Sequence, residues 1–195
     1  MKRKGPTFGH SQVDYRLGNI FKRAVKEFRE AESLEEKTAN EYDRKKNDGS
    51  VDLLPQVFST RECKMEKAVV LMMTAGAFLE QIINDYAHTF LDSDSYEEHL
   101  DNLRTVTKWL LLPRLCQNKE IPENDPTINA LRELVKARNA VVHHKRRDWY
   151  LDLDKASKKT STESARFWLA CKKAESTVAD LIKILESPPL GAAKK

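Results

Sequence analysis

"MEKAVVLMMTAGAFLEQIINDY", residues 65–86, carries its apolar side chains three and four positions apart. Met65, Val69, Met72, Met73, Gly76, Leu79, Ile83 and Tyr86 fall on one stripe at about 100° per residue, which predicts a helix with one face in a core. Methionines at this spacing pack rather than ligate. Gly76 is the only glycine between Ser50 and Pro189. On the stripe, it predicts a place where another helix approaches closely. Glu80 interrupts the same stripe, with Asn84 one turn on, and a carboxylate there needs a partner.

Helical spacing continues on both sides. From about Val13 to Lys46, Leu17, Ile20, Phe21, Ala24, Phe28 and Ala31 form an apolar face. The following "EEKTANEYDRKKND" reads as a solvated helix end or a partner-binding arm. After the linker "GSVDLLPQVF", Ser59 and Glu62 have capping-box spacing and mark the start of a second helix. Ser95 and Glu98 mark a third, with Leu100, Leu103, Val106, Leu110 and Leu111 on its stripe and Pro113 ending or kinking it. Asp125 as N-cap and Pro126 in the first turn open a fourth, expected over about 126–147. Thr160 and Glu163 open the last, whose buried face is Phe167, Cys171, Ala174, Val178, Leu181 and Leu185. The expectation is one all-α domain, residues 1–188, built as a mostly up-and-down bundle of about five helices. A disordered tail is expected over 189–195.

Composition narrows the function classes. The 195 residues are 40% hydrophobic and 33% charged, with 34 Lys and Arg against 30 Asp and Glu, a net charge of +4. That excess permits a nucleic-acid partner without requiring one. Scarce glycine leaves no material for a phosphate-binding P-loop or a dinucleotide loop. The "NDG" at 47–49 lacks the alternating strands of a hairpin. Cys63, Cys116 and Cys171 lie far apart, with no CxxC pair and no His/Cys finger spacing, so neither structural zinc nor any other cofactor is expected. The longest apolar run, "AVVLMMTAGAFL", is too short for a bilayer span, and the basic N-terminus has no apolar run after it. A cytoplasmic protein with no membrane partner is the expectation.

The chemistry is concentrated in "LVKARNAVVHHKRR", residues 134–147. Leu131, Leu134, Val135, Val141 and Val142 lie within roughly 60° of Arg138 on a helical wheel, so a guanidinium sits on the apolar centre line. A buried tie from Arg138 to Glu80, fixing helix register, would account for it. It would not account for Asn139 and His143, one turn apart on an adjoining flank, nor for His144 and the Lys145–Arg146–Arg147 run. The cations are equally readable as a helix C-terminus matched to the macrodipole.

"RNAVVH" resembles the Arg-x4–6-His motif of HEPN domains, including the Asn that often follows the Arg. The surrounding "KWLLLPRLCQ…LRELVKARNAVVHHK" is similar to a bacterial HEPN-like pattern of a Trp–Leu–Pro helix end, a loop and the motif helix. The resemblance covers about residues 60 to 185. It implies an all-α bundle and metal-independent RNA cleavage of the kind found in toxin–antitoxin, abortive-infection and antiviral defence systems. A 2′-hydroxyl would attack the adjacent phosphate to leave a cyclic phosphate. His143 would transfer protons, Arg138 would present its planar fork to phosphate oxygens, and Asn139 would orient the histidine or the phosphate. Glu80 and His144 would support the site, and Lys145, Arg146 and Arg147 would follow the RNA backbone.

Arg138 and His143 are about 140° apart on an ideal helix, and one histidine cannot be base and acid in one step. A homodimer with a composite cleft would answer both points. Two other readings stay open: a non-catalytic HEPN-like RNA-binding or scaffold protein, and a subunit that acts only with a partner such as a neutralising antitoxin or a nucleotidyltransferase.

Overall fold

The computed structural model describes residues 15–47, 53–142 and 158–187, and all the regular structure among them is helical. The helices are α1 (Tyr15–Asn47), α2 (Leu54–Phe90), α3 (Ser93–His99), α4 (Thr105–Gln117), α5 (Pro126–Val142) and α6 (Lys158–Glu186). The expected all-α bundle is therefore observed, with one helix more than the expected five or so.

α1 and α2 form a long antiparallel hairpin. Phe21 meets Phe78, Glu27 meets Lys67 and Glu35 meets Lys64, so residue numbers rise along one helix as they fall along the other. Gly18 lets the Phe78 ring come within 3.2 Å of where a Cβ would stand. α2 is the central helix. Twelve of its residues are buried, from Met65 to Ala87, and it touches each of the other five helices. The apolar run judged too short for a bilayer belongs to a 37-residue helix that is long and apolar enough to cross one, with half of its most apolar window buried inside the bundle.

Several local expectations are revised. Ile20 and Met73, placed on buried stripes, are 49% and 39% exposed, and Val25 is buried instead of Ile20. Ser59 and Glu62 lie inside α2, which begins at Leu54 with Pro55 in its first turn; proline lacks the N–H that a helix start leaves unmet. Ser95 lies inside α3, where the Asp92 carboxylate accepts the Asp94 N–H at 3.1 Å. The third helix breaks after His99 and resumes at Thr105. The break resets the helical phase, so α4 buries Lys108, Trp109, Leu112 and Pro113 in place of Leu110 and Leu111.

Pro113 sits inside α4, which ends at Asn118 in a left-handed conformation (φ 52°). Asp125 caps α5 as expected, its Oδ1 accepting from the Thr127 N–H at 2.7 Å. α6 begins at Lys158, ahead of Thr160, and its six expected core residues are all buried.

Candidate functional site

Arg138 is set by α5 against α2 at the position of Gly76. Ile128, Leu131, Leu134 and Ala137 bury one side of α5, and Arg138 lies on the centre line of that arc. A Cβ on residue 76 would stand 2.5 Å from Arg138 Cδ and 3.0 Å from its Nε. The glycine that predicted a close helix approach thus admits the stem of an arginine. Val142, expected in the core, is 42% exposed at the end of α5.

The guanidinium enters a cavity of about 510 Å³ whose opposite wall is the polar side of α2: Glu80, Gln81, Asn84, Asp85 and His88. Among the buried polar atoms of this cavity, the Nε donor of Arg138 and the Oε1 acceptor of Gln81 have no hydrogen-bond partner. Unmet buried donors and acceptors each cost on the order of 1–3 kcal/mol, so these two atoms call for a partner from outside the chain, water or a ligand's polar group.

The expected Arg138–Glu80 tie does not form. Glu80 Oε1 accepts from Lys108 Nζ at 2.7 Å, and its Oε2 accepts from the Thr105 hydroxyl, so both oxygens are engaged by α4. Lys108 is 1% exposed and also reaches Asn84 Oδ1 at 3.1 Å and Asp101 Oδ1 at 3.4 Å, with its Nζ 5.8 Å from the centre of the Tyr96 ring. Burial alone would depress the Lys108 pKa, but hydrogen bonds to Glu80 and Tyr96 outweigh it and hold the value above the usual lysine range. Tyr96 donates its hydroxyl to Asn84 Oδ1 at 2.6 Å, and its ring packs 4.6 Å from His88.

Of the residues singled out in the sequence, Arg138, Glu80, Gly76 and Asn84 share the cavity. Asn139 is exposed on the adjoining flank. His143, His144, Lys145, Arg146 and Arg147 lie outside the described residues. Sequence reasoning missed Lys108, Gln81, Asp85 and His88. The signal for Lys108 was present in "TKWLLLP", where it lies one turn before Leu112 on the buried side of a helix, the mirror of Glu80 on α2. The three thiols are unpaired. Burial pushes the Cys116 and Cys171 pKa values up to about 11 and about 12, which makes them inert at neutral pH. Among the described residues no cluster of three or more His, Cys, Asp or Glu side chains is placed to hold a metal ion.

No protein-family model, no curated protein and no solved structure matches this chain.

Proposed function

We propose that the chain is a HEPN-like, metal-independent endoribonuclease of a toxin or defence system, cutting RNA by 2′-hydroxyl attack at the cleft that holds Arg138. The observation that carries this reading is the guanidinium itself: its Nε is buried without a partner in a polar cavity, although two carboxylates, Glu80 and Asp85, line the same cavity. An arginine kept for structure would pair with one of them. An arginine kept for a ligand needs an anion from outside, and a phosphodiester fits its planar fork.

In this reading Arg138 grips the scissile phosphate and stabilises charge on the phosphorane. Gln81 Oε1 accepts from a ribose hydroxyl or a base amine. His143 and Asn139, one turn apart in sequence, supply proton transfer and orientation. Lys145, Arg146 and Arg147 follow the backbone. The second histidine comes from a second copy, and the surface beside the cavity suits a partner. Met73, one turn before Ala77 of the cavity wall, is 39% exposed, and Val142, one turn after Arg138, is 42% exposed.

The test is incubation of the purified protein with a mixed RNA pool in EDTA. The expected result is cleavage that leaves 2′,3′-cyclic phosphate or the 3′-phosphate it hydrolyses to, with DNA of the same sequences uncut because the 2′-hydroxyl is the nucleophile. A folded, pure protein that leaves every RNA intact would return the cavity to a binding or scaffold role.

A further inference from the structure

We infer that Lys108 is a positioning residue that keeps Arg138 open to a phosphate by holding Glu80 and Asn84 turned toward α4. The inference rests on Arg138 being the phosphate-binding residue of the proposed reaction, but its mechanism concerns this chain alone. Glu80 stands one turn along α2 from Gly76, the residue over which Arg138 lies. A free carboxylate at that distance would swing to the guanidinium and form a two-point pair. That pair would fill the cavity's donor and cancel its charge.

α4 prevents this by taking both oxygens, Oε1 with Lys108 at 2.7 Å and Oε2 with the Thr105 hydroxyl. The same ammonium fixes Asn84. Its Oδ1 receives both Lys108 Nζ at 3.1 Å and the Tyr96 hydroxyl at 2.6 Å. With the amide oxygen turned away, the Asn84 NH2 is the edge left for the cavity. One buried cation therefore does two things. It neutralises a carboxylate of the Arg138 cavity, and it orients a second donor toward an incoming anion. Asp85, the other carboxylate on this wall, lies nine positions beyond Gly76, roughly 13 Å along the helix axis.

Arginine Nε–Hε nuclear magnetic resonance tests this without any cleavage assay. In Glu80→Gln the Arg138 Nε–H resonance is expected to stay where the parent has it, because Glu80 is not its partner. In Lys108→Met the freed carboxylate is expected to capture Arg138. The Nε–H resonance should then move downfield, and affinity for a 2′-O-methyl RNA, which the enzyme cannot cut, should fall about tenfold. The double variant Lys108→Met/Glu80→Gln should restore both readings, which a merely structural role of Lys108 would not do. A large shift in Glu80→Gln, or a folded Lys108→Met with an unmoved resonance, overturns the inference. If Lys108→Met does not fold, the Glu80→Gln spectrum alone decides it. If the resonance pattern holds and the parent binds no RNA, the positioning role stands and the ribonuclease reading falls.

Discussion

Gly76 and Arg138 form one unit, and Gly76→Ala separates its structural from its functional part. Alanine is worth about 1 kcal/mol over glycine inside a helix. Its Cβ would stand 2.5 Å from Arg138 Cδ, and a flexible side chain can move away. The expected outcome is stability within about 1 kcal/mol of the parent, by urea denaturation, and RNA cleavage reduced about a hundredfold, because a displaced guanidinium no longer meets the phosphate. Equal activity would show that the position of Arg138 does not matter. Glu80→Ala strands Lys108 rather than Arg138, with Asn84 and Asp101 still in reach, so a loss of about 2–3 kcal/mol is expected. The Lys108 pKa, raised above 10.5, means that the folded state holds this proton more tightly than the unfolded chain. Its contribution is complete below pH 10.5 and is lost as pH rises through the folded value. The stability gap between the parent and Lys108→Met should therefore be constant from neutrality to about pH 10 and shrink above it; a gap that widens there would contradict the charged pairing. The sequence exposed Arg138, Gly76 and Glu80 as exceptions on their stripes. It did not show which charge answers which, since that depends on the phase of a third helix.

That third helix was misread as a continuation of the segment after Ser95, and the break at residues 100–104 carried the error into its buried face. Elements with unbroken periodicity, such as α6, were legible along their buried face, as was the Asp125–Pro126 start of α5. The end of α4 was not legible, because it depends on contacts distant in sequence. Lys119, just past the left-handed Asn118, is 4% exposed. Its Nζ donates to the carbonyls of Ile184 at 2.6 Å and Leu185 at 3.1 Å and to that of Ser187. These are carbonyls at the α6 C-terminus, whose partial negative charge a cation complements. Burial opposes the charge and lowers the Lys119 pKa, while the three carbonyls answer it. Lys119→Met should cost about 1–3 kcal/mol. It should also loosen the last turn of α6, read as faster amide exchange at residues 184–187. Unchanged exchange there would remove Lys119 from the role of cap.

At the scale of the whole molecule, α2 supplies both the core and the polar wall of the cavity, so the bundle and the site are organised by the same helix. The all-α class was legible from spacing and the near absence of glycine; the cavity was not, since it exists only where Arg138 of α5 is laid against the polar side of α2. The proposed assembly is a homodimer joined beside this cavity. Sedimentation at micromolar concentration should give a dimer, and Met73→Glu, which puts a charge on the exposed rim, should shift it toward monomer and reduce cleavage together. A fully active monomer would contradict the composite cleft. The most direct measurement is single-turnover cleavage of one RNA oligonucleotide in EDTA by the parent, His143→Ala and Arg138→Ala at matched concentration. The expected result is cyclic-phosphate product from the parent and none above background from either variant, with His143→Ala as well folded as the parent. Cleavage by His143→Ala at the parental rate would contradict it.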